Sequence, residues 1–179
     1  KYGFGKKTYL DLYDEKTGLV PDRLCKSKTK ALPWYPGETL NVGIGQGYFL
    51  ATPMQLTLAT ASLARDGNTY TPHLLLGDKN NKTNEVSVYN HENNKFSTVM
   101  KDPHHLHIVK NAMWRVVNEK RVGTASHLKK VKNIEYAGKT GTAQVYNLDK
   151  GKTGTKRLQD HALFCLLYTS DAADDGLSV

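Results

Sequence analysis

Residues 136–145 read Tyr-Ala-Gly-Lys-Thr-Gly-Thr-Ala-Gln-Val, and no other stretch limits the fold as tightly. Apolar flanks predict a strand. Its centre places Lys139, Thr140 and Thr142 around Gly138 and Gly141. Glycine weakens a strand and is tolerated where another backbone comes close, so the centre reads as a strand edge kept open for a ligand. Lys139 is a point charge for an anion, and each threonine hydroxyl can donate or accept. A polar loop from Asn147 to Leu158 follows, and Asp160-His161-Ala162-Leu163-Phe164 starts a partner strand. The expected unit is an antiparallel ribbon with Lys139 on its first strand. Gly138-Lys139-Thr140 also mimics the end of a phosphate-binding loop, but that motif requires glycine at the position held by Asn133. Lys-Thr-Gly alone is short enough to be an ordinary turn, so the remaining chain has to decide its meaning.

The other elements follow from caps and periodicity. Residues 2–12 mix glycines with alternating apolar residues and predict an extended segment. Residues 14–36 are basic and carry Pro21, Pro33 and Pro36, which predicts a surface loop pinned by Trp34 and Tyr35. Gly43, Gly45 and Gly47 alternate, the wrong spacing for a dinucleotide fingerprint, and predict a constrained loop. Thr52, Pro53 and Gln55 fit the N-cap, first-turn and capping-box positions of a helix running to Arg65. That helix is apolar almost all round, so it is expected to be buried. Residues 69–76 predict a strand interrupted by Pro72, and residues 86–89 a shorter one, with a polar loop between. Asp102-Pro103 opens a second helix, whose apolar face is expected to be Ile108, Val109, Ala112, Met113, Val116 and Val117, with Lys110, Arg115 and Glu119 outside.

Composition mainly excludes. A chain of 179 residues is long enough for one domain with a core, and no apolar run reaches membrane-spanning length. The net charge of +8 is scattered and lacks a nucleic-acid-binding motif, so it reads as a solvated basic face. Cys25 and Cys165 make neither a disulfide framework nor a metal site. His104, His105 and His107 belong to a helix start, without the Cys or carboxylate partners of a metal centre.

Further blocks surround the Lys-Thr-Gly string: residues 33–39, 42–48 (Val-Gly-Ile-Gly-Gln-Gly-Tyr), 51–56 (Ala-Thr-Pro-Met-Gln-Leu), 112–118, Gly123-Thr124-Ala125 and 160–164. In this order they resemble the penicillin-binding protein transpeptidases, specifically their class B, elongation-specific branch. Residues 138–141 are similar to the third active-site motif of that serine acyltransferase superfamily, which includes β-lactamases. The resemblance covers residues 1–164. It implies the α/β transpeptidase fold, a mixed sheet with antiparallel strands covered by helices. It also implies a serine acyl-enzyme that crosslinks peptidoglycan stem pentapeptides ending in D-Ala-D-Ala and is blocked by β-lactams. No cofactor, metal or nucleic acid is implied. The implied setting is the bacterial inner membrane, with the catalytic domain in the periplasm, an anchor upstream and elongation-complex membrane proteins as partners. Lys139, Thr140, Gly141 and Thr142 are implied as the substrate-binding wall, with the Thr142 N–H as an oxyanion donor.

The family's other two motifs are the departure. Ser-x-Asn is absent, and Ser-x-x-Lys occurs only at Ser27–Lys30 and Ser126–Lys129. Ser27 falls in the expected basic loop. Ser126 stands too close to Lys139 for the second motif to intervene. Neither offers a nucleophile beside a lysine held at the buried start of a helix. The nucleophile and general base are therefore expected upstream of Lys1, with this chain as a C-terminal portion that is inactive alone. Residues 165–179 turn from basic to acidic and resemble translated sequencing-adapter sequence, so they are expected to be a non-native tail. The alternatives are the division-specific relative, a β-lactam sensor or β-lactamase of the same fold, and a non-catalytic scaffold module.

Overall fold

The computed structural model describes residues 2–89, 97–98, 102–129, 131–143 and 160–168. They form two compact units, Lys1–Lys101 and Asp102–Val179. Among the described residues the strands pair as three two-stranded antiparallel ribbons. No helix among them is long and apolar enough to cross a membrane.

The first unit contains α1 (Arg23–Lys30), α2 (Pro36–Gly43), α3 (Pro53–Ala64), β1 (Asn68–Thr69), β2 (Gly77–Lys79), β3 (Val86–Val88) and β4 (Ser97–Thr98). The helix α3 begins as expected: Thr52 Oγ1 accepts from the Gln55 N–H, and Gln55 Oε1 accepts from the Thr52 N–H. Gln55 also does more than cap. Its Nε2 donates to the carbonyls of Lys6 and Thr17, both at 2.7 Å, so three distant segments meet at a side chain that is 0% exposed. The adjacent Leu19–Leu50 bridge closes against Gly18, where an added Cβ would stand 2.4 Å from the Leu50 carbonyl oxygen.

Several expectations for this unit fail. Residues 2–12 form turns and irregular backbone, with no strand among them. Residues 14–36 contain α1, which the prolines obscured. Asp22 caps it by accepting from the Cys25 N–H, and Ala31 ends it in the left-handed region at φ 52°. Gly43, expected in a constrained loop, instead closes α2, which Pro36 opens and where Glu38 accepts from the Tyr35 N–H. Only the turn after α2 behaves as expected, with Gly45 and Gly47 at positive φ. Finally, α3 is not buried all round. Gln55 and Ser62 are buried, whereas Leu56, Leu58 and Leu63 are half-covered.

The strand expected over residues 69–76 shrinks to Asn68–Thr69. Pro72 has no N–H to give a ladder, and the N–H groups of Leu74 and Leu75 instead bind the two carboxylate oxygens of Asp11, each at 2.8 Å. The short strand at residues 86–88 forms as expected and pairs with β2.

Polar anchors hold this unit together. Lys26 of α1 is 4% exposed, pairs with Glu38 at 2.6 Å, donates to the Pro33 carbonyl and sits 4.4 Å from the Tyr35 ring centroid. The Lys26 hydrogen bond, followed by the Tyr35 N–H, holds the Glu38 carboxyl below its ordinary range. The Leu75 and Leu74 N–H groups do the same for Asp11. Desolvation pulls Glu15 upward, but donors from Thr8 and Tyr9 outweigh it and leave it lowered. Groups depressed in the folded state stabilise it above their unfolded pKa, and that stabilisation is lost as pH falls through the folded value. The unit should therefore loosen as pH falls below the ordinary glutamate value of 4.5. Trp34 fluorescence and limited proteolysis between about pH 6 and about pH 3 read this out; a flat profile would contradict it.

The second unit is α4 (Pro103–Asn118), β5 (Tyr136–Ala143) and β6 (His161–Tyr168). Asp102 caps α4 through the His104 N–H at 2.9 Å. The buried stripe is Leu106, Met113 and Val117, with Val109 and Val116 half-buried. It is rotated from the expected face: Ile108 is 51% exposed, Ala112 is exposed and Lys110 is half-buried. Leu106, missed in the sequence, is the first contact of that stripe. Val117, at 1% exposure, anchors the helix that packs on β5.

Candidate active site

Strand β5 carries the Lys-Thr-Gly string and pairs in antiparallel register with β6, from Tyr136 opposite Tyr168 to Ala143 opposite His161. The expected ribbon is thus present, and β6 extends beyond Phe164 to Tyr168. Gln144 and Val145, also expected in the first strand, lie outside the described residues.

The two glycines of the string serve different ends. An added Cβ on Gly138 would lie 2.6 Å from Phe164 Cζ and 2.9 Å from the Cys165 carbonyl oxygen. Gly138 is therefore sealed by the partner strand, and its missing side chain lets the Phe164 ring close over it. At Gly141 the nearest atom to such a Cβ is Leu163 Cβ at 3.7 Å, an ordinary contact, and the residue is exposed. Gly141 leaves space where Gly138 fills it.

Lys139, Gly141 and Thr142 are exposed, and Thr140 is half-buried. The Lys139 ammonium folds back onto the Thr140 carbonyl at 2.6 Å. Within an antiparallel strand, both backbone groups of a residue point to the same edge, and alternate residues face the partner. The Tyr136 carbonyl is taken by Asn118 Nδ2 at 2.8 Å and the Thr140 carbonyl by Lys139.

Two contributors escaped the sequence reading. Asn118, at the end of α4, donates to both the Trp114 and Tyr136 carbonyls and so ties the helix to the start of β5. Thr124 places its hydroxyl 3.2 Å from that of Thr140. The Gly123-Thr124-Ala125 block was legible as a helix-closing turn, but nothing in its spacing showed that the turn reaches the strand.

The two Ser-x-x-Lys strings stand elsewhere. Ser27 and Lys30 lie on α1, a helix and not the loop expected, and both are exposed. Ser126 is half-buried in the turn after α4, where its hydroxyl faces the Lys120 carbonyl at 3.5 Å, and Lys129 is exposed. Neither pair provides a serine beside a buried lysine. Among the described residues, no group of three His, Cys, Asp or Glu side chains could hold a metal.

Lys-Thr-Gly is one of three active-site motifs of penicillin-binding proteins and class A β-lactamases. The family described as the penicillin binding protein transpeptidase domain matches residues 1–171, and the chain belongs to it. It is 36% identical over 170 residues to the peptidoglycan D,D-transpeptidase MrdA of Escherichia coli, a match covering 91% of this chain and 26% of that protein. It also resembles the solved complex of penicillin-binding protein 2 with MreC from Helicobacter pylori, at a TM-score of 0.71 and 34% identity over 91% of this chain and 27% of that one. Penicillin-binding protein 2 of Pseudomonas aeruginosa in complex with WCK 5153 matches at a TM-score of 0.64 and 37% identity, over 91% of this chain and 33% of that one. The fold is accordingly that of the penicillin-binding protein transpeptidases, helices with antiparallel strands. The chain spans about a quarter of the length of the curated relatives it matches.

Proposed function

We propose that this chain supplies the Lys-Thr-Gly wall of a peptidoglycan D,D-transpeptidase of the elongation-specific type. The observation that carries the reading is β5 itself: Lys139, Gly141 and Thr142 are exposed on a strand whose Gly138 is sealed by β6. Lys139 attracts the terminal carboxylate of a D-Ala-D-Ala donor, charge on charge. The Thr140 and Thr142 hydroxyls bind the same group, and Gly141 gives the donor backbone room to pair with the strand edge. The Thr142 N–H is one oxyanion donor. The second comes from a serine nucleophile in a part of the enzyme that this chain does not contain. β-Lactams occupy the same wall because they imitate the donor.

The same reading places the enzyme at the bacterial inner membrane with this domain in the periplasm, among membrane proteins of the elongation machinery. It needs no cofactor. Residues 165–179 are read as a non-native tail; Cys165 to Tyr168 serve the β5 ladder through backbone groups, which any residue but proline supplies.

Labelling with a fluorescent penicillin tests the proposal. The 179-residue chain alone should form no covalent adduct, whereas the transpeptidase that joins this sequence to Ser-x-x-Lys and Ser-x-Asn motifs should form one. An adduct on Ser27 or Ser126 of the chain alone would show that the nucleophile had been misplaced.

A further inference from the structure

The turn that follows α4 is built more firmly than a connecting loop requires. The Gly123 N–H donates to the Glu119 carbonyl at 2.8 Å, the Ala125 N–H to the Val116 carbonyl at 3.0 Å, and the Ser126 N–H to the Gly123 carbonyl at 3.1 Å. Gly123 allows this closeness, since an added Cβ would stand 2.4 Å from the Val116 carbonyl oxygen. Ala125 is buried. Thr124, between these two anchored residues, is exposed, and its hydroxyl meets that of Thr140 at 3.2 Å. Asn118 ties the same helix end to the Tyr136 carbonyl, so helix, turn and strand are registered at two points.

We propose that Thr124 is a positioning residue for the donor's carboxylate: its hydroxyl donates to Thr140, which turns the Thr140 proton outward to the ligand beside Lys139. This rests on the transpeptidase reading above. A hydroxyl has one proton and two acceptor sites. Thr140 can give its proton to a carboxylate and at the same time accept from Thr124. Such a chain of hydroxyls polarises each bond in the same direction, and a bond to an ionised acceptor is the stronger kind. Without Thr124 the Thr140 hydroxyl rotates freely and must be ordered on binding. Substituting position 124 should therefore weaken recognition of a charged carboxylate selectively and leave the remaining acylation chemistry intact.

The test uses the complete transpeptidase and two probes, a fluorescent penicillin with its free carboxylate and the methyl ester of the same penicillin. Thr124→Val should lower the second-order acylation rate constant for the free acid roughly fivefold, the loss of about one neutral hydrogen bond. It should leave the rate for the ester and the melting temperature at parental values, and Thr124→Ser should recover the free-acid rate. An unchanged free-acid rate in Thr124→Val overturns the proposal. So does an equal loss for both probes, which assigns the turn a structural role alone. A parent enzyme that acylates while these variants behave in either of those ways removes only the role of Thr124. A parent enzyme that fails to acylate removes the transpeptidase reading, and this inference with it.

Discussion

Replacing Lys139 by alanine in the complete transpeptidase is expected to slow acylation by penicillin on the order of 100-fold, the scale on which a preorganised charge or donor in an acyl-transfer site is measured. The ammonium now rests on the Thr140 carbonyl, a neutral acceptor on its own strand. An incoming carboxylate offers a charge-assisted bond and displaces that contact. The ammonium is thus held within reach of the strand edge, so little must be reorganised on binding. The substitution should not disturb the fold, because Lys139 is exposed and its pairing with Cys165 uses backbone groups. Lys139→Arg should recover only part of the rate, since a planar fork places its charge differently from a compact ammonium. Stopped-flow acylation with a fluorescent penicillin measures all three proteins. A rate in Lys139→Ala within about threefold of the parent would sink the assignment of this strand as the substrate wall.

The parts of the fold that were legible in the sequence are those written locally. Thr52-Pro53-Met54-Gln55 and Asp102-Pro103 announced their helices because a cap, a first-turn proline and a following apolar period lie within a few residues of one another. The β5–β6 ribbon was legible because two strand patterns flank one polar loop. The failures have a common source in contacts made at long range. Leu74 and Leu75 look like strand residues, yet their N–H groups are claimed by Asp11, far back in the chain. Lys26 looks like a solvated charge, and only Glu38, the Pro33 carbonyl and the Tyr35 ring make its burial tolerable. Prolines at positions 21, 33 and 36 suggested a loop, although Pro36 opens α2 and Pro21 directly precedes the α1 cap, Asp22. At the candidate site the string 138–142 was legible as chemistry. Thr124 was not, because its meeting with Thr140 depends on where α4 ends and how the turn folds back. The different duties of Gly138 and Gly141 were equally hidden, since only the position of Phe164 separates them.

Gln55→Leu should be the most damaging single change to the first unit, costing roughly 3–5 kcal/mol, because each buried polar group left without a partner costs about 1–3 kcal/mol. The side chain is 0% exposed and makes three hydrogen bonds: it accepts from the Thr52 N–H and donates to the Lys6 and Thr17 carbonyls. Leucine has a comparable volume, so no large cavity forms. The loss falls on the three backbone groups it abandons, the Thr52 N–H and the Lys6 and Thr17 carbonyls. Against a typical domain stability of about 5–15 kcal/mol, that is a large share. Gln55→Glu separates the donor from the shape. It keeps the acceptor for Thr52 but turns a second carboxylate oxygen toward two carbonyls, which raises its folded pKa. Its deficit relative to the parent should therefore be greatest at neutral pH and shrink as pH falls toward and below the ordinary glutamate value of about 4.3, where the protonated acid donates to one carbonyl. Urea unfolding of the parent and both variants across that range supplies the comparison. A Gln55→Leu loss under about 1 kcal/mol would mean that water satisfies the abandoned carbonyls and that Gln55 caps α3 without binding the three segments together.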